Sequence, residues 1–258
     1  MARREPEASA DWPAPLEILN PDSNHPVVLI CEHAANHIPA RYERLGVAPA
    51  ELARHIAYDI GAAAVTRALA RRLGAPAFLG TYSRLLVDLN RPFGVPSSMP
   101  VLSEATRVPG NEGLDEAELA FRRRTIFDPF HDAIAALLDH RVGQPSLIVT
   151  IHSFTPVFLG VARPWHVGIL HDHQPAFARH FLAGLATDPA LVVGENVPYV
   201  IERDSDYAIP VHASDRGLPG ALIEIRNDLI RTPEGVDAWA ARLAAILDDL
   251  SLTRRPAA

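Results

Sequence analysis

Long apolar runs alternate along this chain with stretches that repeat at helical spacing. PVVLICEH (26–33), PSLIVTIHSF (145–154) and WHVGILHD (165–172) are almost continuously hydrophobic, as strands covered on both faces are. APAFLGTY (75–82), RLLVDL (84–89) and the start of VVGENVPY (192–199) also read as strands, the last running on into a loop. ALIEIRNDLI (221–230) reads as the final strand, its apolar run interrupted by Glu224. Helical periodicity marks 60–73, with arginines in its last turn and Gly74 as a stop. It returns over 115–141, where Pro129 predicts a kink or break, and over 175–186 and 236–250. Residues 93–111, rich in proline and glycine, predict a loop over the site. Strands alternating with helices imply an α/β fold with a doubly wound, mostly parallel (mixed) sheet and helices on both faces. Residues 1–24 read as an extended lead-in and residues 25–258 as one α/β domain, without internal repeats.

Composition narrows the possibilities. A net charge of −7 argues against nucleic acid as the main partner. No apolar run reaches the roughly 18 residues needed to span a bilayer, and the N-terminus lacks the apolar core of an export signal. The lone cysteine, Cys31, excludes internal disulfides and suits a reducing compartment, so a cytoplasmic protein is expected. Every basic residue is arginine. The absence of lysine excludes Schiff-base and P-loop lysine chemistry.

Candidate chemistry gathers at the strand ends, where ligand sites of α/β sheets lie. His33 and His152 each end a buried run, and Asp59 directly precedes a helix. Two imidazoles and a carboxylate are a zinc-type donor set that leaves a position for water. The bland alternatives are core histidines and a helix cap. His171 and His173, in a polar turn, form a rival pair. Glu224, inside an apolar strand, should have its proton affinity raised by burial, which suits a general base and acid; pairing with Arg226 is its bland alternative. Arg84, Asn90 and Arg91 surround a strand exit and could grip a substrate carboxylate, unless Arg84 merely pairs with Asp88. No GxSxG elbow is present, and Cys31 lies within an apolar strand, so nucleophilic catalysis has little support.

CEHAANHIP (31–39), YDIGA (58–62), SRLLVDLNRP (83–92), TIHSF (150–154), ENVPY (195–199) and HASDRGLPGALIEIRNDLI (212–230) occur in order. In combination they resemble the N-formylglutamate amidohydrolase family, which is similar in architecture to zinc carboxypeptidases and aspartoacylases. The resemblance implies a phosphorylase/hydrolase-like fold, His33 and His152 as zinc ligands, and Glu224 as general base and acid. It also implies Asn90 and Arg91, with Arg84, as the carboxylate clamp. The carboxypeptidase pattern has a glutamate three residues after its first histidine, where this chain has Asn36. Asp59, at the start of the next helix, is therefore expected as third ligand, with Glu32 and Asn36 as alternatives.

The expected activity is zinc-dependent hydrolysis of the amide bond of a small N-acyl amino acid, N-formylglutamate-like, by activated water. Another divalent metal could take the same ligands. His212, before RGLP, is expected in a polar loop, binding substrate or the developing oxyanion unless it is simply solvated. The rival classes are an aspartoacylase-like deacylase or cell-wall peptide amidase on the same scaffold, and a non-catalytic small-molecule binding protein.

Overall fold

The computed structural model describes residue 9, residues 11–172 and residues 175–253. The first half of the chain supplies β1 (Leu16–Leu19), β2 (Val27–Cys31), α1 (Pro49–Leu52), α2 (Ala62–Leu73) and β3 (Ala77–Gly80). A small hairpin, β4 (Leu102–Ser103) and β5 (Thr106–Arg107), precedes α3 (Glu116–Arg122) and α4 (Asp128–His140). Then come β6 (Leu147–Phe154), a second hairpin of β7 (Val157–Phe158) and β8 (Val161–Ala162), β9 (Val167–Leu170) and α5 (Pro175–Leu185). β10 (Val193–Glu195), β11 (Gly220–Arg226) and α6 (Pro233–Thr253) complete the fold.

Seven strands form one sheet in the order β1-β3-β2-β6-β11-β9-β10. The central β3, β2, β6 and β11 are mutually parallel, while β1 on β3 and β9 on β11 run antiparallel. The sheet is thus mixed and mostly parallel. Alternation sends Leu29, Val149 and Ile223 to one face, where α2, α5 and α6 cover them. Ile30, Ile148 and Leu222 face the other way, onto Phe121 of α3 and onto Phe130, Ile134 and Leu138 of α4. Each such buried side chain contributes about 1.5–3 kcal/mol of transfer free energy. Among the described residues, no helix is long and apolar enough to cross a membrane.

The structure corrects several expectations. The lead-in is not merely extended: Leu16–Leu19 pairs with β3 as an edge strand, and Trp12 is buried against Tyr82 and Phe121. RLLVDL (84–89) is not a strand. Ser83 donates its hydroxyl to the Ala57 carbonyl, and Asp88 accepts from the backbone N–H of Asn90, 2.9 Å away. Such short polar side chains satisfy the backbone locally, and the apolar residues between them are buried in a turn. The long helix is interrupted at Arg123–Phe127 by a π-helical turn just before Pro129. The wider turn accommodates a residue that lacks an N–H and crowds the carbonyl four residues back. The final strand stops at Arg226, and Asn227–Ile230 is a 3-10 turn. The segment 93–111 includes the β4–β5 hairpin, which brings Ser103 and Glu104 to the site.

Candidate metal centre and active site

Because β2, β6 and β11 are parallel neighbours, their C-terminal ends finish side by side. Ile30 lies opposite Thr150, and Glu224 directly opposite His152. Two residues beyond Ile30 and Thr150, alternation therefore lines up Glu32, His152 and Glu224 across three strands on one face. His33 follows at the end of β2. Asp59 joins them because its backbone N–H donates to the His33 carbonyl, 2.9 Å away.

Asp59 does not cap the following helix through its side chain. That helix begins at Ala62, and Gly61 occupies the cap with φ +86°, a left-handed conformation in which a Cβ would lie 2.4 Å from the Ile230 carbonyl oxygen. The Asp59 carboxylate instead turns inward. Its Oδ2 accepts from Ser153 N–H at 3.2 Å and lies 2.8 Å from His152 Nδ1 and 3.4 Å from His33 Nδ1. The two imidazoles meet edge to face, with ring centroids 4.9 Å apart. One donor atom from each of His33, Asp59 and His152 falls within 4.8 Å of the others, the one such group found among the described residues.

The far side of each ring faces another carboxylate. His33 Nε2 lies 2.7 Å from Asp88 Oδ1, and His152 Nε2 lies 3.0 Å from Glu32 Oε2. The second approach is not aligned as a hydrogen bond, and both Glu32 oxygens remain without one. All five side chains are buried. Burial opposes charge on His152, yet Glu32 and Asp59 outweigh it and hold the ring well above the usual histidine range. Burial and Arg84 likewise push His33 down, but Asp88 and Asp59 leave it raised. In spite of burial, His33 and His152 hold Asp59, and Arg84 with His33 holds Asp88, well below the usual carboxylate range. Burial pushes Glu224 up to about 7; His152 opposes that rise and Asp59 adds to it.

This donor set fits a divalent cation. Two imidazoles with one carboxylate are ligands of the hardness that zinc, manganese and iron accept. The buried Nδ1 of His33 has no hydrogen-bond partner, and such a group ordinarily finds one. Carboxylates behind ligating histidines are the usual outer support of a metal site. Of the two alternatives for third ligand, Asn36 is exposed and donates to the Leu52 carbonyl, while Glu32 stands behind His152.

A cavity of about 530 Å³ opens above these groups, with His33, Asp59, His152 and Glu224 in its floor. Arg84, Asn90 and Arg91 all reach its wall, already engaged by the protein's own acids. Arg84 Nη2 binds Asp88 Oδ2 at 2.8 Å, and Arg91 Nη1 binds Asp206 Oδ1 at 2.9 Å. Asn90 Oδ1 accepts from the backbone N–H groups of Tyr207 and Ala208. The segment carrying Asn90 and Arg91 is thereby fastened to the 200–208 loop.

His212 is not in a polar loop. It belongs to a π-helical turn, Ile209–Ala213, and is only 1% exposed. Its Nε2 lies 2.9 Å from His131 Nδ1, and it is not among the residues lining the cavity. The rival His171 lies 2.9 Å from Glu195, and His173 lies outside the described residues. Cys31 is buried, and burial pushes its thiol well up, so it supplies no nucleophile. Sequence reasoning missed His55, Glu104, Tyr199 and Asp206 as cavity residues. Their loops follow courses set by tertiary packing; Tyr199 closes the ENVPY motif, while no pattern in the chain marks His55, Glu104 or Asp206.

A family model described as N-formylglutamate amidohydrolase matches residues 25–231. Gene product Atu2144 from Agrobacterium tumefaciens has a similar structure, with a TM-score of 0.88 and 40% sequence identity over 93% of this chain and 96% of that one. The N-formylglutamate amidohydrolase from Ralstonia eutropha JMP134 is similar at a TM-score of 0.67 and 18% identity, over 93% of this chain and 98% of that one. No curated protein matches the chain.

Proposed function

This chain belongs to the N-formylglutamate amidohydrolase family, and from that premise we propose that it hydrolyses the amide bond of a small N-acyl amino acid with a divalent cation, zinc foremost. The observation that carries the reading is the convergence of His33, Asp59 and His152 directly beside Glu224. His33, Asp59 and His152 would hold the ion. Once bound, it supplies Lewis-acid polarisation of the acyl oxygen and a more acidic water.

Glu224 takes the proton from the attacking water and returns it to the leaving nitrogen. A carboxyl group that titrates near neutrality is suited to both transfers. Asn90 and Arg91 hold the substrate carboxylate, with Asp206 fixing the guanidinium in advance. Arg84, anchored by Asp88 and facing Asp59, presents positive charge where the acyl oxygen becomes anionic. Buried His212 takes no part in substrate contact. The products are a free amino acid and a short acid. The lone, buried cysteine agrees with a cytoplasmic setting.

The test is a panel of N-formyl, N-acetyl and longer N-acyl amino acids beside cell-wall peptides, with bound metal quantified in the same sample. Turnover of one or more N-acyl amino acids, lost on chelation and restored by zinc, is expected. A fully zinc-loaded chain that cleaves none of them sinks the proposal.

A further inference from the structure

We infer that Glu32 is a positioning residue for His152: its carboxylate backs the Nε2 side of the imidazole, so that Nδ1 faces Asp59 and the cation position. This rests on reading His33, Asp59 and His152 as metal ligands. Glu32 is a buried acid that the proposed reaction does not otherwise use.

Three observations carry the inference. The Glu32 side chain is completely buried, and neither oxygen makes a hydrogen bond. A carboxylate removed from water in that way has lost its hydration and needs a positive or hydrogen-bearing neighbour to replace it. The nearest such group is His152 Nε2 at 3.0 Å, itself buried and lacking a hydrogen bond. Finally, the arrangement repeats the one at His33, whose Nε2 lies 2.7 Å from Asp88 while Nδ1 faces Asp59. A carboxylate behind a ligating imidazole fixes the tautomer, aims the lone pair and strengthens the donor. Glu32 achieves this through strand register, since β2 and β6 are paired in parallel immediately below it.

Glu32 also acts electrostatically on His212. Burial drives the charge off that ring, and the negative charge of Glu32 opposes the loss. The Nδ1 of His212 is buried without a hydrogen-bond partner. Its Nε2 lies 2.9 Å from His131, whose far nitrogen lies 2.9 Å from the Leu89 carbonyl between Asp88 and Asn90.

The experiment measures zinc affinity of the full chain by chelator competition, for wild type, Glu32→Gln, Glu32→Leu and Glu32→Asp. The expected result is about 10- to 100-fold weaker zinc binding in Glu32→Gln, the usual effect of losing an outer-shell partner. KM for the substrate should be unchanged at saturating zinc, and Glu32→Asp should recover part of the lost affinity. Glu32→Leu fills the space without the charge and should bind zinc as poorly as Glu32→Gln. Affinity of Glu32→Gln within about twofold of a zinc-binding, active wild type, below the outer-shell effect, would overturn the inference and leave the proposed function standing. A wild type that takes up no zinc would overturn both. If the variants fail to fold, imidazole nitrogen NMR of the zinc-loaded wild type decides. Ligation of His152 through Nδ1 with a hydrogen-bonded Nε2 proton is expected, and ligation through Nε2 refutes the role.

Discussion

Two pairs of buried histidines are packed into this molecule, and their surroundings give them opposite chemistry. His33 and His152 meet edge to face at 4.9 Å, while His131 and His212 stack at 5.2 Å with an interplanar angle of 24°. All four rings are at least 95% buried. Asp59, Asp88 and Glu32 surround the first pair and keep both rings readily charged. Around His131 stand Phe127, Phe130 and Tyr207, with the Leu89 carbonyl as its oxygen acceptor. Burial there, reinforced by the neighbouring ring, pushes His131 well below the usual histidine range, and burial pushes His212 to about 4. Burial alone therefore makes a histidine neutral and structural. Carboxylates on both sides of the ring raise its basicity, which suits the cation-binding role proposed for it.

The largest effect should come from removing a member of the first pair. His33→Ala is expected to abolish stoichiometric zinc uptake and reduce hydrolysis by more than the roughly 10- to 100-fold typical of an outer-shell loss. Metal analysis and turnover on one preparation check this. Glu224→Gln should lower kcat by roughly 100- to 10,000-fold while zinc content stays at the wild-type level. Near-normal turnover in that variant would remove the proton shuttle. Arg91→Ala should act mainly on KM, raising it by about 10-fold or more, since a hydrogen bond to a charged group contributes roughly 1.5–3 kcal/mol. Steady-state kinetics with the preferred substrate separate the two constants.

The smallest effect concerns stability and breaks the comparison at its other end. His131 and His212 have folded-state proton affinities below the unfolded value of about 6.5, so the unfolded chain binds more protons as pH falls. Their contribution is present above pH of about 6.5 and is lost on acidification. For His212 alone the loss by about pH 5 amounts to about 1–2 kcal/mol. The first pair runs the other way in metal-free protein. Its raised affinities give stability that is complete below about 6.5 and lost as pH rises through the folded-state values. Denaturant unfolding of metal-free His212→Phe should show a shallower acid loss than wild type, with the alkaline limb unchanged.

Much of this was legible in the chain, for reasons specific to each element. β2, β6 and β9 are almost continuous apolar runs and β11 is broken only by Glu224, so they stood out, and the parallel pairing of β2, β6 and β11 carried His33, His152 and Glu224 to one edge. The wall residues Arg84, Asn90 and Arg91 were legible as a polar cluster at the end of an apolar segment. That segment's conformation was not, because Ser83 and Asp88 satisfy its backbone through side-chain bonds that hydrophobic patterning does not register. β1 was hidden because an edge strand with one solvent-facing side is short and weakly patterned. His212 was misread because the sequence after it, Ser214-Asp215-Arg216, is polar, while its ring points inward to His131, 81 residues earlier. Glu32 looked like a spare ligand; only strand register shows that it lies behind His152 rather than beside it.

Anomalous diffraction at the zinc absorption edge, from crystals of the full chain grown with zinc, addresses the first histidine pair directly. A single peak about 2.0–2.2 Å from His33 Nδ1, His152 Nδ1 and an Asp59 oxygen is the predicted result. A zinc-saturated crystal with its ion elsewhere, or with no ion between those three side chains, would contradict it.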